Sequence, residues 1–328
     1  MVTLRLSVWG LAALSIFSGA YARPHHIHEN GIAARDVALH KHVARDPRRK
    51  QAPVSGGKSK GWGPGMVYSP YADGGDCKSE DTMAKEINLV ASKGEYGWLR
   101  IYGVDCNQVP VVVSCAAKNK MRVLLGIYDL SDEGKVADAT KAIIAGVKDA
   151  NKKSDKKEDD WSSIVGVSVG NEWLFNHPND SAAKCKGLAD STRKTLRDAG
   201  FQGPVTNTDV WTIHLKNKEL CGDDEIVTVN MHPFFDTSVT AQESGAFIKR
   251  HTEEIQKFCG KPVVVAETGW PTKGQPQKNA IPSPENQKTF LSEVKKNYKN
   301  YCVLSAFNEG WKKDGEYGVE KYWGVYSS

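Results

Sequence analysis

From Gly65 onward the chain alternates short apolar, β-branched runs with longer stretches in which apolar residues recur at helical spacing. The short runs predict buried strands, and the longer stretches predict amphipathic helices. The predicted strands are Met66–Ser69, Trp98–Tyr102, Val123–Tyr128, Val165–Val169, Pro204–Asn207, Ile226–Met231, Val263–Ala266 and Val303–Phe307. The predicted helices are Glu80–Ser92, Val109–Lys118, Val136–Lys148, Ala182–Ala199, Ala241–Phe258 and Pro284–Tyr298.

This alternation is typical of repeated βα units, and eight strands favour a closed (β/α)8 TIM barrel that forms a single domain. Two places depart from the ideal repeat: the connection Thr212–Leu220 is short, and little chain is left after the eighth strand for a final helix. A doubly wound open sheet is the alternative fold. It is less favoured because Ser69-Pro70-Tyr71 follows the first strand, where that fold commonly has a Gly-rich turn.

Polar residues follow seven of the predicted strands. Active sites of TIM barrels lie at the carboxyl ends of the strands, so these residues are expected to form one polar cup. They are Arg100-Ile101-Tyr102, Tyr128-Asp129, Asn171-Glu172, Asp209, Asn230-Met231-His232, Glu267-Thr268 and Asn308-Glu309.

Two carboxylates in this set follow long buried runs. Glu172 ends the fourth strand and Glu267 ends the seventh, three βα repeats of about 30 residues later. Strands four and seven face one another across a barrel of eight, so both side chains can point into one cleft. Glycoside hydrolysis uses such a pair, one carboxyl group as acid and the other as nucleophile or base. Each Glu could instead be a structural residue of the barrel rim, but a buried carboxylate without a purpose is costly, which favours catalysis.

At these residues the chain resembles the family 17 glycoside hydrolases, which act on β-1,3-glucan, and especially their fungal cell-wall branch. The resemblance covers about 260 residues. Its motifs are Val67-Tyr68-Ser69-Pro70-Tyr71, Leu99-Arg100-Ile101-Tyr102-Gly103-Val104-Asp105-Cys106, Gly166-Val167-Ser168-Val169-Gly170-Asn171-Glu172, Asn230-Met231-His232-Pro233-Phe234-Phe235, Glu267-Thr268-Gly269-Trp270-Pro271, Phe307-Asn308-Glu309 and Tyr322-Trp323-Gly324.

The resemblance implies a (β/α)8 barrel and a reaction that retains the anomeric configuration. It implies that Glu172 is the acid/base, that Glu267 is the nucleophile and that Asn171 binds the sugar 2-hydroxyl. Glu309-Gly310 departs from the acidic-apolar pair usual in the fungal branch.

The two carboxylates need different environments, because the acid must hold a proton that the nucleophile must lack. Arg100 and Asn171 are expected to keep Glu267 ionised. Trp173, Tyr128 and the charge of the nucleophile are expected to raise the pKa of Glu172.

The chain is rich in aromatic residues, with 9 Trp and 11 Tyr, and several lie beside the cup. Sugar rings stack on aromatic planes while polar side chains bind their hydroxyls. Any one of these rings can equally belong to the core; Trp270, next to the nucleophile, is the first candidate for stacking. The predicted substrate-binding residues are Tyr68, Arg100, Tyr102, Tyr128, Asn171, Asp209, Asn230, His232, Phe234, Trp270, Asn308, Glu309 and Trp311.

Residues 1–22 have the pattern of a secretory signal peptide, with an apolar run over Leu6–Ala20 and the sequence Ala20-Tyr21-Ala22 at its end. This run is shorter than the roughly 20 residues of a membrane-spanning helix.

Residues 23–60 form a basic, His-rich segment with few large apolar residues, which predicts a disordered leader or pro-region. Its His cluster could suggest a metal site, but a solvated processing segment is favoured because nothing there fixes ligand geometry. The catalytic domain is predicted over 61–328.

The excess positive charge belongs to the leader. Residues 1–60 hold 10 of the 44 Lys and Arg residues but 3 of the 39 Asp and Glu residues. The predicted domain is therefore nearly neutral, which argues against a nucleic-acid surface. We expect a secreted, extracellular or cell-wall monomer that binds β-glucan polysaccharide and does not insert into a membrane.

All seven Cys residues lie in the predicted domain of a chain addressed to an oxidising compartment, so disulfides are expected. Cys77 and Cys106 follow the first two strands, and Cys221 and Cys259 precede the sixth and seventh, so each pair can form a bridge. The other three thiols, Cys115, Cys185 and Cys302, are expected to be buried, and no CxxC pair suggests zinc. No metal or other cofactor is expected.

Asn179-Asp180-Ser181 is a glycosylation sequon, with Asn179 as the acceptor.

Three functions remain open at this point. They are a β-1,3-glucan hydrolase, a transglycosylase that remodels the same polymer, and a wall protein that binds glucan without turnover. Hydrolase and transglycosylase share one glycosyl-enzyme intermediate, so the sequence does not separate them. A binding protein has no need for both Glu172 and Glu267.

Overall fold

The computed structural model describes residues 61–326. Eight strands, all parallel to their neighbours, close into a barrel in sequence order. They are β1 (Gly65–Val67), β2 (Trp98–Arg100), β3 (Arg122–Ile127), β4 (Ile164–Asn171), β5 (Val205–Val210), β6 (Val227–Asn230), β7 (Val263–Thr268) and β8 (Tyr301–Val303). The predicted (β/α)8 barrel is confirmed.

Helices lie between consecutive strands and pack against the outside of the barrel. They are α1 (Glu80–Ser92), α2 (Gln108–Lys118), α3 (Glu133–Lys152), α4 (Trp173–Asn176), α5 (Ala182–Asp198), α6 (Trp211–His214), α7 (Ser244–Cys259) and α8 (Pro284–Asn297). Short 3₁₀ turns occur at Lys218–Cys221, Pro233–Phe235 and Ala241–Glu243. The short fifth connection predicted from the sequence contains only α6 and the first of these turns.

Side-chain caps explain where several helices begin. The Ser79 hydroxyl accepts from the backbone N–H of Thr82 at the start of α1, and Ser283 does the same for α8, where Pro284 occupies the first helical position. Such oxygens satisfy N–H groups that have no partner within the helix. The helix boundaries therefore follow the sequence signals closely.

The strands are apolar because both of their faces are covered, one by the barrel interior and the other by the helices. All six residues of β7 are buried, for example. The eighth strand differs from the prediction, since pairing covers Tyr301–Val303 and not Val303–Phe307. Residues 304–307 are buried for another reason: Ala306 N–H bonds to the carbonyl of Val67, and Ser305 N–H bonds to that of Trp323.

Both predicted disulfides are confirmed. Cys77–Cys106 joins the segments that follow β1 and β2, and Cys221–Cys259 joins those that precede β6 and β7. The other three cysteines are free: Cys185 and Cys302 are buried, and Cys115 is half-buried.

The predicted signal peptide and the leader over 23–60 lie outside the described residues. Among the helices between residues 61 and 326, none is both long and apolar enough to cross a bilayer.

Candidate active site

The fold brings Glu172 and Glu267 to the same end of the barrel. Glu267 belongs to β7, and Glu172 directly follows β4. The backbone of Glu172 is left-handed, with φ 51° and ψ 36°, and Gly170 two residues earlier also has positive φ, 84°. The positive φ angles of these two residues bend the chain away from the strand direction at the point where the carboxylate is presented. Each Glu is only 6% exposed.

Asn230 at the end of β6 contacts both carboxylates. Its Nδ2 lies 3.0 Å from Oε1 of Glu172 and 3.5 Å from Oε2 of Glu267. One amide nitrogen therefore lies between the two acids. The sequence identified Asn230 as a substrate-binding candidate, whereas its position is that of a bridge inside the site.

Glu267 is surrounded by hydrogen-bond donors. The Tyr102 hydroxyl donates to Oε2, and Nη1 of Arg100 lies 3.3 Å from the same oxygen. His232 Nε2 lies 3.0 Å from Oε1. An ionised carboxylate only accepts, so Nε2 is the donor in this contact.

These donors determine the charge state of Glu267. Burial on its own would raise the pKa of Glu267. The hydrogen bond and charge of His232 act in the opposite direction, followed by the charge of Arg100 and the hydrogen bond from Tyr102. Together they lower the pKa of Glu267 below its ordinary value, so this carboxylate stays ionised.

Glu172 is in the reverse situation. Burial raises its pKa, and the negative charge of Glu267 raises it further. The hydrogen bond from Asn230 opposes this shift but does not cancel it. Glu172 therefore holds its proton to a higher pH than an ordinary Glu, while Glu267 stays ionised to a lower pH than an ordinary Glu.

Arg100 connects the site across the barrel. Its side chain is 1% exposed; Nη1 donates to Asn230 Oδ1 at 2.9 Å, and Nη2 donates to Asn171 Oδ1 at 2.8 Å. Asn171, expected beside Glu267, instead contacts Arg100 and Asn230. Its Nδ2 is buried without a hydrogen-bond partner in the described part of the chain.

Such a site can run acid/base chemistry on two carboxyl groups alone. One favours the protonated form and the other the ionised form in a largely buried cup, which is the arrangement that glycosidic bond cleavage requires. Residues 61–326 contain no group of three or more His, Cys, Asp or Glu side chains placed to hold a metal ion.

The sequence profile of the BtgE/BtgC glycoside hydrolase domain matches residues 65–324, which is the barrel with all eight strands. The chain belongs to this glycoside hydrolase family.

Named relatives of this BtgE/BtgC barrel come from fungi. Cell surface mannoprotein MP65 of Candida albicans is 36% identical over 277 residues, covering 84% of this chain and 69% of the relative. The probable family 17 glucosidase SCW10 of Saccharomyces cerevisiae is 36% identical, covering 80% of this chain and 64% of the relative. The probable beta-glucosidase btgE of Aspergillus fumigatus is 32% identical, and this chain spans 45% of its length. The BtgE/BtgC domain is thus a part of longer relatives.

Solved structures agree on the fold. The family 17 beta-1,3-glucanosyltransferase of Rhizomucor miehei superposes with a TM-score of 0.63 at 22% identity, covering 80% of this chain and 92% of that one. CJP38, a beta-1,3-glucanase and allergen of Cryptomeria japonica pollen, gives 0.57 at 17% identity, covering 81% and 95%. This chain therefore has the same barrel fold as both proteins.

Three aromatic residues predicted to contact substrate are buried in the protein interior. Trp270 is 1% exposed, and its Nε1 donates to the carbonyl of Ile281 at 2.9 Å. Phe234 is fully buried and packs edge-on against Trp270. Tyr68 is also fully buried, with its hydroxyl donating to Glu86. All three rings are enclosed by other protein groups, so none presents an open face.

Two further candidates are occupied by contacts within the protein. Arg100 uses its guanidinium on the network described above. Asp209 is 2% exposed, and its Oδ2 accepts from the backbone N–H of Leu174 at 2.8 Å. Both side chains are therefore engaged by other protein groups.

The remaining predicted substrate-binding residues lie at the rim of the cup or within it. Tyr102, Tyr128, His232 and Trp311 are partly exposed. Trp311 packs edge-on against Tyr71, with ring centroids 4.9 Å apart. Asn308 is exposed and accepts from Gly324 N–H at 3.0 Å. These side chains are accessible to a bound chain.

A buried charge cluster beside the site was missed from the sequence. Glu309 was predicted as a substrate contact, but it is 6% exposed and forms an ion pair with Lys312 Nζ at 2.6 Å. Burial raises the pKa of the nearby Glu320 to about 7, against the opposing charge of Lys312. The sequence signal that could have predicted this ion pair is the spacing of Glu309 and Lys312, which lie three positions apart after β8.

Proposed function

We propose that this chain is a secreted, retaining β-glycosidase that acts on β-1,3-glucan in cell-wall hydrolysis or remodelling. Glu172 is the acid/base and Glu267 the nucleophile. The substrate class rests on the resemblance of the motifs to family 17 and on the printed names of the relatives. The roles of the two residues rest on the site itself.

The observation that carries the proposal is the unequal treatment of the two carboxylates. Glu267 receives donors from Tyr102, Arg100 and His232, whereas Glu172 receives one from Asn230. A nucleophile must be ionised and an acid must be protonated at the same pH. The contacts favour this assignment and oppose its reverse.

In the first step, an oxygen of Glu267 attacks the anomeric carbon while the bond to the leaving oxygen breaks. Glu172 gives its proton to that oxygen, so the leaving sugar departs as a neutral alcohol. Negative charge moves from Glu267 to Glu172. Asn230 contacts both groups, so its amide N–H is within reach of either carboxylate as the charge moves.

In the second step, Glu172 removes a proton from an incoming hydroxyl group, which attacks the anomeric carbon and releases Glu267. Water gives hydrolysis, and a sugar hydroxyl gives transglycosylation. Two successive displacements retain the anomeric configuration.

The close approach of the two acids supports retention. Since the contacts of Asn230 are 3.0 and 3.5 Å, the two oxygens that it contacts are separated by no more than the sum of these distances. The carboxyl groups of inverting enzymes are typically separated by roughly 6.5–9.5 Å, and the largest possible distance between these two oxygens lies at the lower end of that range. The separation of roughly 5–5.5 Å typical of retaining enzymes lies within the limit.

Asn171 is suited to hold the sugar at the reacting position. Its oxygen is used by Arg100 and Asn230, which orients its free Nδ2 donor. A buried donor without a partner is costly, and a substrate hydroxyl would satisfy it. We assign this donor to the 2-hydroxyl of the sugar bonded to Glu267.

Secretion is proposed from the predicted signal peptide over residues 1–22. The relatives named as a cell surface mannoprotein and a family 17 glucosidase support a cell-wall location. We propose that the mature protein works as a monomer, because its single barrel contains both carboxylates.

Azide rescue tests the assignment. With an aryl β-glycoside whose leaving group needs no proton, Glu172→Ala should still form the glycosyl-enzyme and then stall. Azide can fill the space of the missing side chain and attack without a base, giving a β-configured glycosyl azide. Glu267→Ala has no nucleophile, so azide attacks directly and gives the α-configured product. Product stereochemistry is read by NMR.

An α-azide from Glu172→Ala, or a β-azide from Glu267→Ala, would show that the two roles are reversed. Wild-type turnover in both variants would refute the assigned roles, whereas glucan binding by the wild-type protein without any turnover would support the alternative of a glucan-binding protein. Mass spectrometry of products from a β-1,3-oligoglucan series separates the two enzymatic outcomes, because only transglycosylation gives products longer than the donor.

A further inference from the structure

The backbone at Glu172 is in a conformation that needs external support. A non-glycine residue in the left-handed region is less favourable than one in the ordinary conformations. Glu172 has φ 51°, and the four-residue helix α4 begins at the next residue. The position of its carboxylate therefore depends on how the surrounding backbone is held.

The end of β5 holds that backbone on both sides of Glu172. Before the side chain, the N–H of Glu172 donates to the carbonyl of Thr208 at 3.0 Å. After it, the N–H of Leu174 donates to Oδ2 of Asp209 at 2.8 Å, and the N–H of Phe175 also bonds to this carboxyl. The second oxygen of Asp209 accepts from Val210 N–H at 2.8 Å.

The carboxyl of Asp209 is also a charge next to the acid at neutral pH, since burial raises the pKa of Asp209 to about 6. It is 2% exposed, and its negative charge is among the causes that raise the pKa of Glu172. The other groups that face Glu172 are Glu267 on β7, Arg100 on β2 and Asn230 on β6. On the side of α5, Asp209 faces the thiol of Cys185.

We propose that Asp209 is a positioning residue for Glu172: it anchors the loop that presents the acid and places a second carboxyl group next to it. The inference rests on the proposed function. It replaces the substrate contact expected for Asp209, because both carboxyl oxygens are occupied by backbone N–H groups. Asp209 acts through Glu172 and touches no reacting atom.

Two variants separate anchoring from charge. Asp209→Ala removes both. Asp209→Asn removes the charge but keeps one oxygen that can accept from Leu174. The matched control is Asp224→Asn, which removes the charge of a partly buried Asp at the opposite end of the same strand. There Oδ2 of Asp224 accepts from Val205 N–H at 2.7 Å, and the carboxyl pairs with Arg193 and Arg197.

The measurement is kcat/KM, which reports the first chemical step, as a function of pH and of leaving group. On laminari-oligosaccharides, Asp209→Ala should lose between roughly tenfold and a hundredfold, the cost of a misplaced catalytic group. The loss should be smaller on a dinitrophenyl β-glycoside, which needs no proton. In Asp209→Asn, the basic limb of the profile should move to lower pH, because a negative charge beside Glu172 is gone.

Asp224→Asn should lower the melting temperature and leave the basic limb in place. Equal losses of kcat/KM on both substrates, together with a basic limb that does not move, would overturn the inference. If Asp209→Ala does not fold, the pH of the basic limb in Asp209→Asn is the deciding measurement. Glu172→Gln is measured alongside. If it kept wild-type turnover, the proposed function itself would fail, which is a different result from failure of the Asp209 variants in an enzyme that needs Glu172.

Discussion

Nη1 of Arg100 lies 3.3 Å from Oε2 of Glu267, and both side chains are almost completely buried. A buried ion pair repays its desolvation only when further hydrogen bonds satisfy its remaining atoms. Here Arg100 also donates to the carbonyl of Ala266 at 3.0 Å and to two Asn side chains. The pair therefore belongs to a network that crosses the barrel from β2 to β7. It keeps one acid charged in a site where burial favours the neutral form.

Removing either carboxylate should abolish turnover while the protein stays folded. Glu172→Gln and Glu267→Gln preserve size and remove the acid or the nucleophile. We expect losses of about 10²–10⁴-fold for the acid and at least as much for the nucleophile. Laminarin hydrolysis and calorimetric glucan binding are the measurements, and binding should persist. Wild-type rates in both variants would contradict the mechanism.

The pH profile should depend on the donors around Glu267. The wild-type acid limb is expected below the ordinary pKa of Glu and the basic limb above it, because the two acids are shifted in opposite directions. Tyr102→Phe removes a donor that favours the ionised form of Glu267. The pKa of Glu267 should then rise, and the acid limb of kcat/KM should move to higher pH.

The control for this variant is Tyr298→Phe. The Tyr298 hydroxyl donates to the carbonyl of Val263 at 2.6 Å, at the opposite end of the same strand, β7. This change should reduce thermal stability without moving the acid limb. An unmoved limb in Tyr102→Phe would mean that its hydrogen bond does not influence the nucleophile.

Trp270 and Trp311 should respond differently to truncation. Trp270 is 1% exposed and packs against Phe234 and Phe290, so Trp270→Ala should lower the free energy of unfolding by about 3–5 kcal/mol. Trp311 is partly exposed beside the cup, so Trp311→Ala should mainly raise KM for long oligosaccharides. Thermal melting and steady-state kinetics distinguish the two effects. A stable Trp270→Ala variant with weakened sugar binding would restore the stacking role predicted from the sequence.

The two disulfides should separate stability from activity. Each closes a loop of moderate length, with separations of 29 and 38 residues, so replacing either pair by Ser should cost about 2–4 kcal/mol. Cys77–Cys106 joins the two segments next to Tyr71 and Tyr102, and its loss should also reduce kcat/KM. Loss of Cys221–Cys259, at the other end of the barrel, should not. Equal kinetic effects in the two double variants, measured well below their melting temperatures, would argue against this division.

The sequence alone determined the architecture of this protein and the meeting of its two carboxylates. Periodic apolar runs predict the eight strands, and the strand-end position of Glu172 and Glu267 predicts that they meet. The disulfide pairs follow from the same topology. These inferences succeed because they need only the order of elements and the geometry of a closed barrel.

The tertiary structure alone decided which strand-end side chains reach the cup. Trp270 and Asp209 stand in the right place along the chain, yet one is covered by packed rings and the other bonds to the backbone after Glu172. Asn230 became the bridge between the two acids. The direction of a side chain beyond a strand depends on loops and helices distant in sequence, which compete for the same buried space and the same hydrogen bonds. No local pattern records the outcome of that competition.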